Sequence, residues 1–328
     1  MSFLIQKKGI AGKLRCSCLA VILVSVLCLV NTQNLFAQEL VVPVDNGQSS
    51  DLSEDQGSDT AKSVVRYGIL YGTVPIVFLF GAKAWHWGDN HDFSSKREGW
   101  LGKDTDYAGA DKVGHLYAHY VIQRSVYDIF NWTENGGDRK WIYSIGVTAG
   151  TGLLIELGDG FSSKYGFSYE DLVADYAGII CGALLDYSPM LNGFIGISVN
   201  YWPSDNFADN YNRNNFGKAF LDFVTDYSGF TYLVNFKLAG FSNLGIHLPL
   251  VLRLIQFDVG YETRGYGNAD THAGVTHRER NLRFGISLNS AQLLDESWEW
   301  KRGGGYHVAH RFLEFYEIPV HKTKKVGI

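Results

Sequence analysis

Near residue 189 the apolar periodicity of this 328-residue chain changes, and that change limits the fold more than any other feature. Before it, from about 61 to 188, apolar stretches run at helical length: "VVRYGILYGTVPIVFLFGAKAW", a segment from Asp111 to about Phe130, "WIYSIGVTAGTGLLIELGDGF" and "YEDLVADYAGIICGALLDY". After it, apolar and polar residues alternate. In "NLRFGISLN", Leu282, Phe284, Ile286 and Leu288 interleave with Asn281, Arg283, Gly285 and Ser287, and "FIGISVNYW" and "YLVNFKL" behave likewise. "VLRLIQFDVGYE" reads as a further strand, less cleanly divided, and "RFLEFYEI" as another. A helical period followed by a period of two predicts an α+β protein. The expected order is a bundle of about four apolar helices over 61–188, then an antiparallel sheet or partial barrel over 189–328 with one greasy and one wet face. Closing a membrane barrel takes about eight strands, and the basic tail "VHKTKKVGI" is no amphipathic closing strand, so a complete outer-membrane barrel is the weaker expectation.

Three of the helical stretches carry glycines four apart: Gly68 with Gly72, Gly146 with Gly150, and Gly178 with Gly182. Such pairs let helix backbones approach closely, in lipid or in a soluble bundle. Apolar runs of roughly 17 residues lie at the lower edge of spanning length, so spanning and soluble packing both stay open.

The N-terminus reads as an export signal over residues 1–37: Lys7, Lys8, Lys13 and Arg15 precede a run rich in leucine and valine, and a polar stretch ends at Ala37. Leu27 before Cys28, and Arg15 upstream of Cys18, do not suit a lipid-modified cysteine. Export would remove Cys16, Cys18 and Cys28, leaving Cys181 alone in the apolar "GIICGAL", where it reads as packing. Without the basic residues of that segment the formal charge moves from −5 to −9, which argues against nucleic acid as a partner. Residues 38–60 hold six acids and no base, and read as a flexible leader.

Chemistry concentrates in the helical half. In "DKVGHLYAHY" the residues Asp111, His115 and His119 are spaced four apart, which stacks them on one helical face. Glu156 and Asp159 fall at the C-terminus of the next helix, where the backbone dipole disfavours negative charge. A cationic or proton-sharing group is expected beside them, with His115, His119 and Lys112 as candidates. Ser168 and Asp171 fit a capping box that needs no chemistry, and Asp111 has the same plain reading as an N-cap. Asp175 lies one turn beyond Asp171 among Val173, Ala174 and Ala177, where a carboxylate is costly unless paired, hydrogen-bonded or metal-bound. If the three helices converge, Asp111, His115, Glu156, Asp159 and Asp175 form one polar cluster. Such a cluster suits a divalent metal held by facing helices, a carboxylate-oriented histidine base, or a network that only specifies packing. "AWHWGDNHDF", with His86, Asp89, His91 and Asp92, reads as an aromatic interfacial loop or as a rim over the cluster.

"GADKVGHLYAHY" followed by "IELGDGFSSKYGFSYEDLVADYAG" resembles the YfiM-like group of exported envelope proteins, a domain of unknown function. The shared pattern falls on Asp111, Lys112, Gly114, His115, Glu156, Asp159, Gly160, Gly166, Phe167, Ser168, Asp171, Asp175 and Gly178, across about residues 100–185. Asp175 stands where the group often has asparagine. A fainter similarity to VanZ-like membrane proteins implies a membrane-embedded polar site. Together with the residues, the resemblance points to a membrane-associated protein of the periplasm or outer membrane, whose partner is a membrane lipid or other envelope component. If it is an enzyme, hydrolysis or transfer at a lipid or cell-wall headgroup is expected, with His115 as base or ligand and Asp111, Glu156, Asp159 and Asp175 as ligands or orienters. The other readings are a non-catalytic component in which the cluster locks the helices, and a small transporter or channel component.

Overall fold

In a computed structural model of the chain, the structure describes residues 51–90, 92–105, 107–134, 136–204, 223–266, 277–297, 303–318 and 321–328. The expected signal and residues 38–50 of the leader lie outside them. The architecture is α+β, with helices first and an antiparallel sheet after them.

Four long helices form the first half: α1 (Asp51–Ala84), α2 (Ala110–Thr133), α3 (Arg139–Asp159) and α4 (Tyr169–Tyr187). Residues 51–60, read from sequence as part of a flexible leader, are the first turns of α1. The tightest helix contact joins α2 to α4, and glycine makes it: a Cβ on Gly178 would overlap the Leu116 carbonyl oxygen, and one on Gly182 would lie 3.1 Å from the Tyr120 carbonyl oxygen. The other two glycine pairs do not play that part. Gly68, Gly146 and Gly150 have nothing within 4 Å of the Cβ position, and Gly72 meets only Ile76. Gly146 and Gly150 line a cleft between α1 and α3 instead of closing a contact.

A short helix α5 (Pro189–Phe194) leads into β1 (Ile195–Tyr201). There follow β2 (Phe230–Lys237), the four-residue helix α6 (Leu250–Arg253), β3 (Ile255–Arg264), β4 (Glu279–Leu288), α7 (Ser290–Ser297), α8 (Gly304–Phe315) and β5 (His321–Gly327). The strands pair in the order β1-β2-β3-β4-β5, all antiparallel, and among the described residues the sheet is not closed. Most of "RFLEFYEI" is helix α8, and the fifth strand is the lysine-rich tail instead. Val308, Phe312 and Phe315 recur at helical spacing, which decides the first. A lysine-bearing edge strand carries no apolar alternation to betray the second.

The sheet reverses the usual polarity. Val234, Phe236, Phe257, Val259, Phe284 and Ile286 share one face and are 38–52% exposed. Asn235, Gln256, Asp258, Glu262, Asn281 and Ser287 share the other and are buried. Along β1 the apolar face meets helices: Val199 and Tyr232 pack with Val113 and Tyr117, and Ile195 and Ile197 pack with Tyr120, Leu185 and Phe315. On the polar face Asn235 donates to Asp258 (2.8 Å) and Glu317 (3.1 Å), and Gln256 donates to both at 3.3 Å.

Burial, and then the Asp258 carboxylate, push Glu317 from 4.5 up to about 8 against the hydrogen bonds it accepts. Its folded pKa exceeds its unfolded one, so its contribution is fully present below about 4.5 and lost as pH rises through about 8. Stability is therefore expected to fall by a few kcal/mol across that window. Glu317→Gln, followed by urea unfolding at several pH values, should flatten the fall; an unchanged slope would refute the assignment.

A buried ionic lock ties the halves together. The Arg124 guanidinium is 1% exposed and reaches Asp186 (2.9 Å), Asn192 (3.0 Å) and the Tyr120 hydroxyl (2.7 Å). Glu314 on α8 lies 3.4 Å from Arg124 and 2.8 Å from Arg311, which also meets Asp128 and Asp186. Removing one member of such a network leaves its partners buried and uncompensated.

Candidate metal and acid-base site

Helix α2 starts after Gly109, whose φ of 80° suits a residue without a Cβ, and that glycine is the N-cap. Asp111 is thus not the cap of its helix. Its carboxylate accepts from Lys112 Nζ at 2.7 Å, and the same ammonium reaches Glu98 (2.5 Å) and Asp171 (2.6 Å). Lys112 is buried, and although burial opposes its charge, Asp111 and Asp171 raise its pKa. Burial raises Asp111 against the pull of Lys112. In Glu98 the order is reversed: burial would raise it, but Lys112 and Lys96 hold it at about 2.

Ser168 is the N-cap of α4, accepting from the Asp171 amide at 3.2 Å, as the capping pattern predicts. The acid half of the box is spent elsewhere, because the Asp171 carboxylate turns to Lys112. Glu156 completes the helix start from outside, accepting from the Ser168 amide at 3.0 Å. That contact answers the dipole argument: Glu156 ends α3, where negative charge is disfavoured, but faces the positive N-terminus of α4. Burial nevertheless drives Glu156 up to about 8. Asp159 rises to about 6 for the same first cause, opposed by the Trp87 indole N–H, which donates to it at 2.7 Å.

Asp175 is fully buried one turn along α4, and its Oδ1 meets both histidines of α2: His115 Nδ1 at 2.9 Å and His119 Nδ1 at 2.7 Å. Burial opposes its charge, and the two imidazoles lower its pKa all the same. His119 Nε2 and Asp175 Oδ2 have no hydrogen-bond partner among the described residues, and both crowd Gly152, whose Cβ would stand 3.0 and 3.1 Å from them. The His115 side chain is 28% exposed, and its Nε2 lies 3.9 Å from Asp171 Oδ1. Burial disfavours an imidazolium there, but Asp175, Asp171 and Glu156 outweigh it and raise His115 to about 10.

Among the described residues, three sets of side chains bring ligand atoms within 4.8 Å of one another: His115, His119 and Asp175; His115, Glu156 and Asp171; and Glu98, Asp111 and Asp171. The last is already occupied by the Lys112 ammonium. In the first, Asp175 spends one oxygen on both Nδ1 atoms. In the second, His115 Nε2 lies 3.9 Å from Asp171, Glu156 is the third member, and Asp175 fixes the opposite ring nitrogen. Asp159 stands outside all three sets, held by Trp87. Glu98 was not legible, since it sits in the aperiodic "SSKREGW". Trp87 was legible only as part of the tryptophan-rich segment.

Residues 97–187 match the profile of a family described as "Predicted periplasmic lipoprotein (DUF2279)". The matched stretch holds every member of the cluster. The match supports an exported domain of unknown function, in the periplasm or associated with the outer membrane, and carries neither the YfiM-like nor the VanZ-like naming. No curated protein and no solved structure matches the chain.

Proposed function

We propose that this chain is an envelope protein held at a membrane by α1, and that His115, Glu156 and Asp171 bind one divalent metal and act on a lipid or cell-wall headgroup by hydrolysis or group transfer. The observation that carries the reading is the Asp175 carboxylate on His115 Nδ1, with Nε2 3.9 Å from Asp171 and with Glu156 in the same set of ligand atoms. A carboxylate behind a ligating imidazole sets its tautomer and raises its basicity. A mixed imidazole and carboxylate set suits Zn²⁺ or Mn²⁺, and such an ion would polarise a phosphoryl or acyl oxygen. Lys112, with Asp111 and Glu98, holds Asp171 in place, and Asp159 positions Trp87.

Among the described residues, Asp59–Ala84 is the one stretch long and apolar enough to cross a bilayer. Its 26 residues span about 39 Å of helix, against about 30 Å of hydrocarbon. Tyr71, Ile76 and Leu79 on it are 66–73% exposed, which suits lipid better than water. Lys83, Trp85 and Trp87 follow at its end, the residue types that settle at headgroup depth. The bond from Trp87 to Asp159 carries the cluster to the same depth. The exposed apolar face of the sheet also favours a membrane surface.

A second reading keeps the cluster as a lock without catalysis, and Lys112 and the Glu156 cap favour it, because both satisfy carboxylates without any ligand. Detergent-solubilised protein with Mn²⁺ or Zn²⁺, offered phospholipids and a cell-wall fragment, separates the two. Headgroup release that falls by ~10²–10⁴ in His115→Ala supports the enzyme. No release from any of them, with a lower unfolding temperature in that variant, supports the lock.

A further inference from the structure

A cleft of about 330 Å³ runs between α1 and α3. Leu70 and Val74 of α1 and Ile142 and Val147 of α3 wall it, and Gly146 and Gly150 form its floor. Both glycines look into open space, with nothing within 4 Å of a Cβ, so the missing side chains are what make the cleft. We infer that this cleft holds one acyl chain of a membrane lipid whose headgroup reaches the His115, Glu156 and Asp171 cluster.

The lining is mainly apolar, with the Tyr143 phenol and two threonines as its polar side chains. Its two threonine hydroxyls donate within their own helices, Thr73 to the Ile69 carbonyl at 2.7 Å and Thr151 to the Val147 carbonyl at 2.8 Å. Its volume lies at the low end for small-molecule sites. One wall is α1, whose apolar stretch is barely buried, so the mouth of the cleft opens where hydrocarbon would lie. Along α3 the cleft ends at Thr151, and Gly158 follows after about 10 Å of helix. There the Trp87 ring fills the space that Cβ atoms on Gly81 and Gly158 would take, and its indole N–H bonds Asp159. Trp87 thus marks the boundary between the apolar cleft and the acidic site, and a lipid with its tail in the cleft would carry its headgroup past this ring.

The inference rests on the membrane and headgroup reading above. Its test is native mass spectrometry of the full chain in detergent with added phosphatidylethanolamine, comparing wild type with Gly146→Leu/Gly150→Leu. One lipid per chain is expected on the wild type, with binding reduced tenfold or more in the double variant. Equal binding by both, or no lipid on the wild type, overturns the inference. Should the double variant lose its helical circular dichroism, Ile142→Trp narrows the same mouth from a position 73% exposed, and unchanged binding there is equally decisive. Metal titration of the same proteins is read separately: lipid binding without metal overturns the metal reading alone, and metal without lipid overturns the channel alone.

Discussion

Gly178→Ala is expected to lower stability by about 1–3 kcal/mol and to separate the two helices that build the site. The added methyl would overlap the Leu116 carbonyl oxygen and stand 2.9 Å from the Tyr120 amide nitrogen. Both are backbone atoms of α2, so no side chain can turn aside, and α4 must move away. Asp175 lies one turn before Gly178 on α4, and Leu116 follows His115 directly on α2, so the displacement stretches the 2.9 Å bond between His115 and Asp175. Gly146→Ala serves as the control. It adds a methyl into open space on a helix, where alanine is favoured over glycine by about 0.8–1 kcal/mol. Urea unfolding should thus give shifts of opposite sign. Equal shifts would mean that the contact between α2 and α4 does not depend on the missing Cβ.

Asp175→Asn is expected to weaken metal binding by about 10–100-fold while leaving the shape of the site intact. The amide fills the same volume between His115 and His119, but it removes the charge that both Nδ1 atoms face and offers an N–H where a carboxylate oxygen stood. The cost to folding also differs from that of an exposed ion pair. Asp175 is fully buried, and breaking a buried pair costs about 3–5 kcal/mol because the remaining partners stay desolvated. Calorimetric titration with Mn²⁺ or Zn²⁺, beside thermal unfolding, reads both effects. A lowered unfolding temperature with unchanged metal affinity would show that Asp175 serves packing only.

The helices and four of the five strands were legible because burial imposes a period on the sequence. "NLRFGISLN" could be read as a strand from its alternation alone, and it is β4. The tail "VHKTKKVGI" could not, because an edge strand needs no apolar face. Alternation also does not say which face is turned inward: Asn281 and Ser287 are buried while Phe284 and Ile286 are exposed. In the site, the spacing of Asp111, His115 and His119 gave the stripe, and the dipole argument anticipated a positive partner for Glu156. It missed that the partner includes the start of α4. Glu98 left no trace, since a loop residue brought in by tertiary contact carries no periodic signal. The glycine pairs show the limit most clearly: Gly178 and Gly182 close a contact, whereas Gly146 and Gly150 open a cleft, and the spacing is the same.

The most direct test of the metal site is elemental analysis of purified wild-type protein and His115→Ala after incubation with Zn²⁺ or Mn²⁺ and removal of free ion. One ion per chain on the wild type, absent from the variant while its helical content persists, is the expected result. Wild-type protein that emerges without metal, or a variant that keeps it in full, would contradict the assignment of His115, Glu156 and Asp171 as ligands.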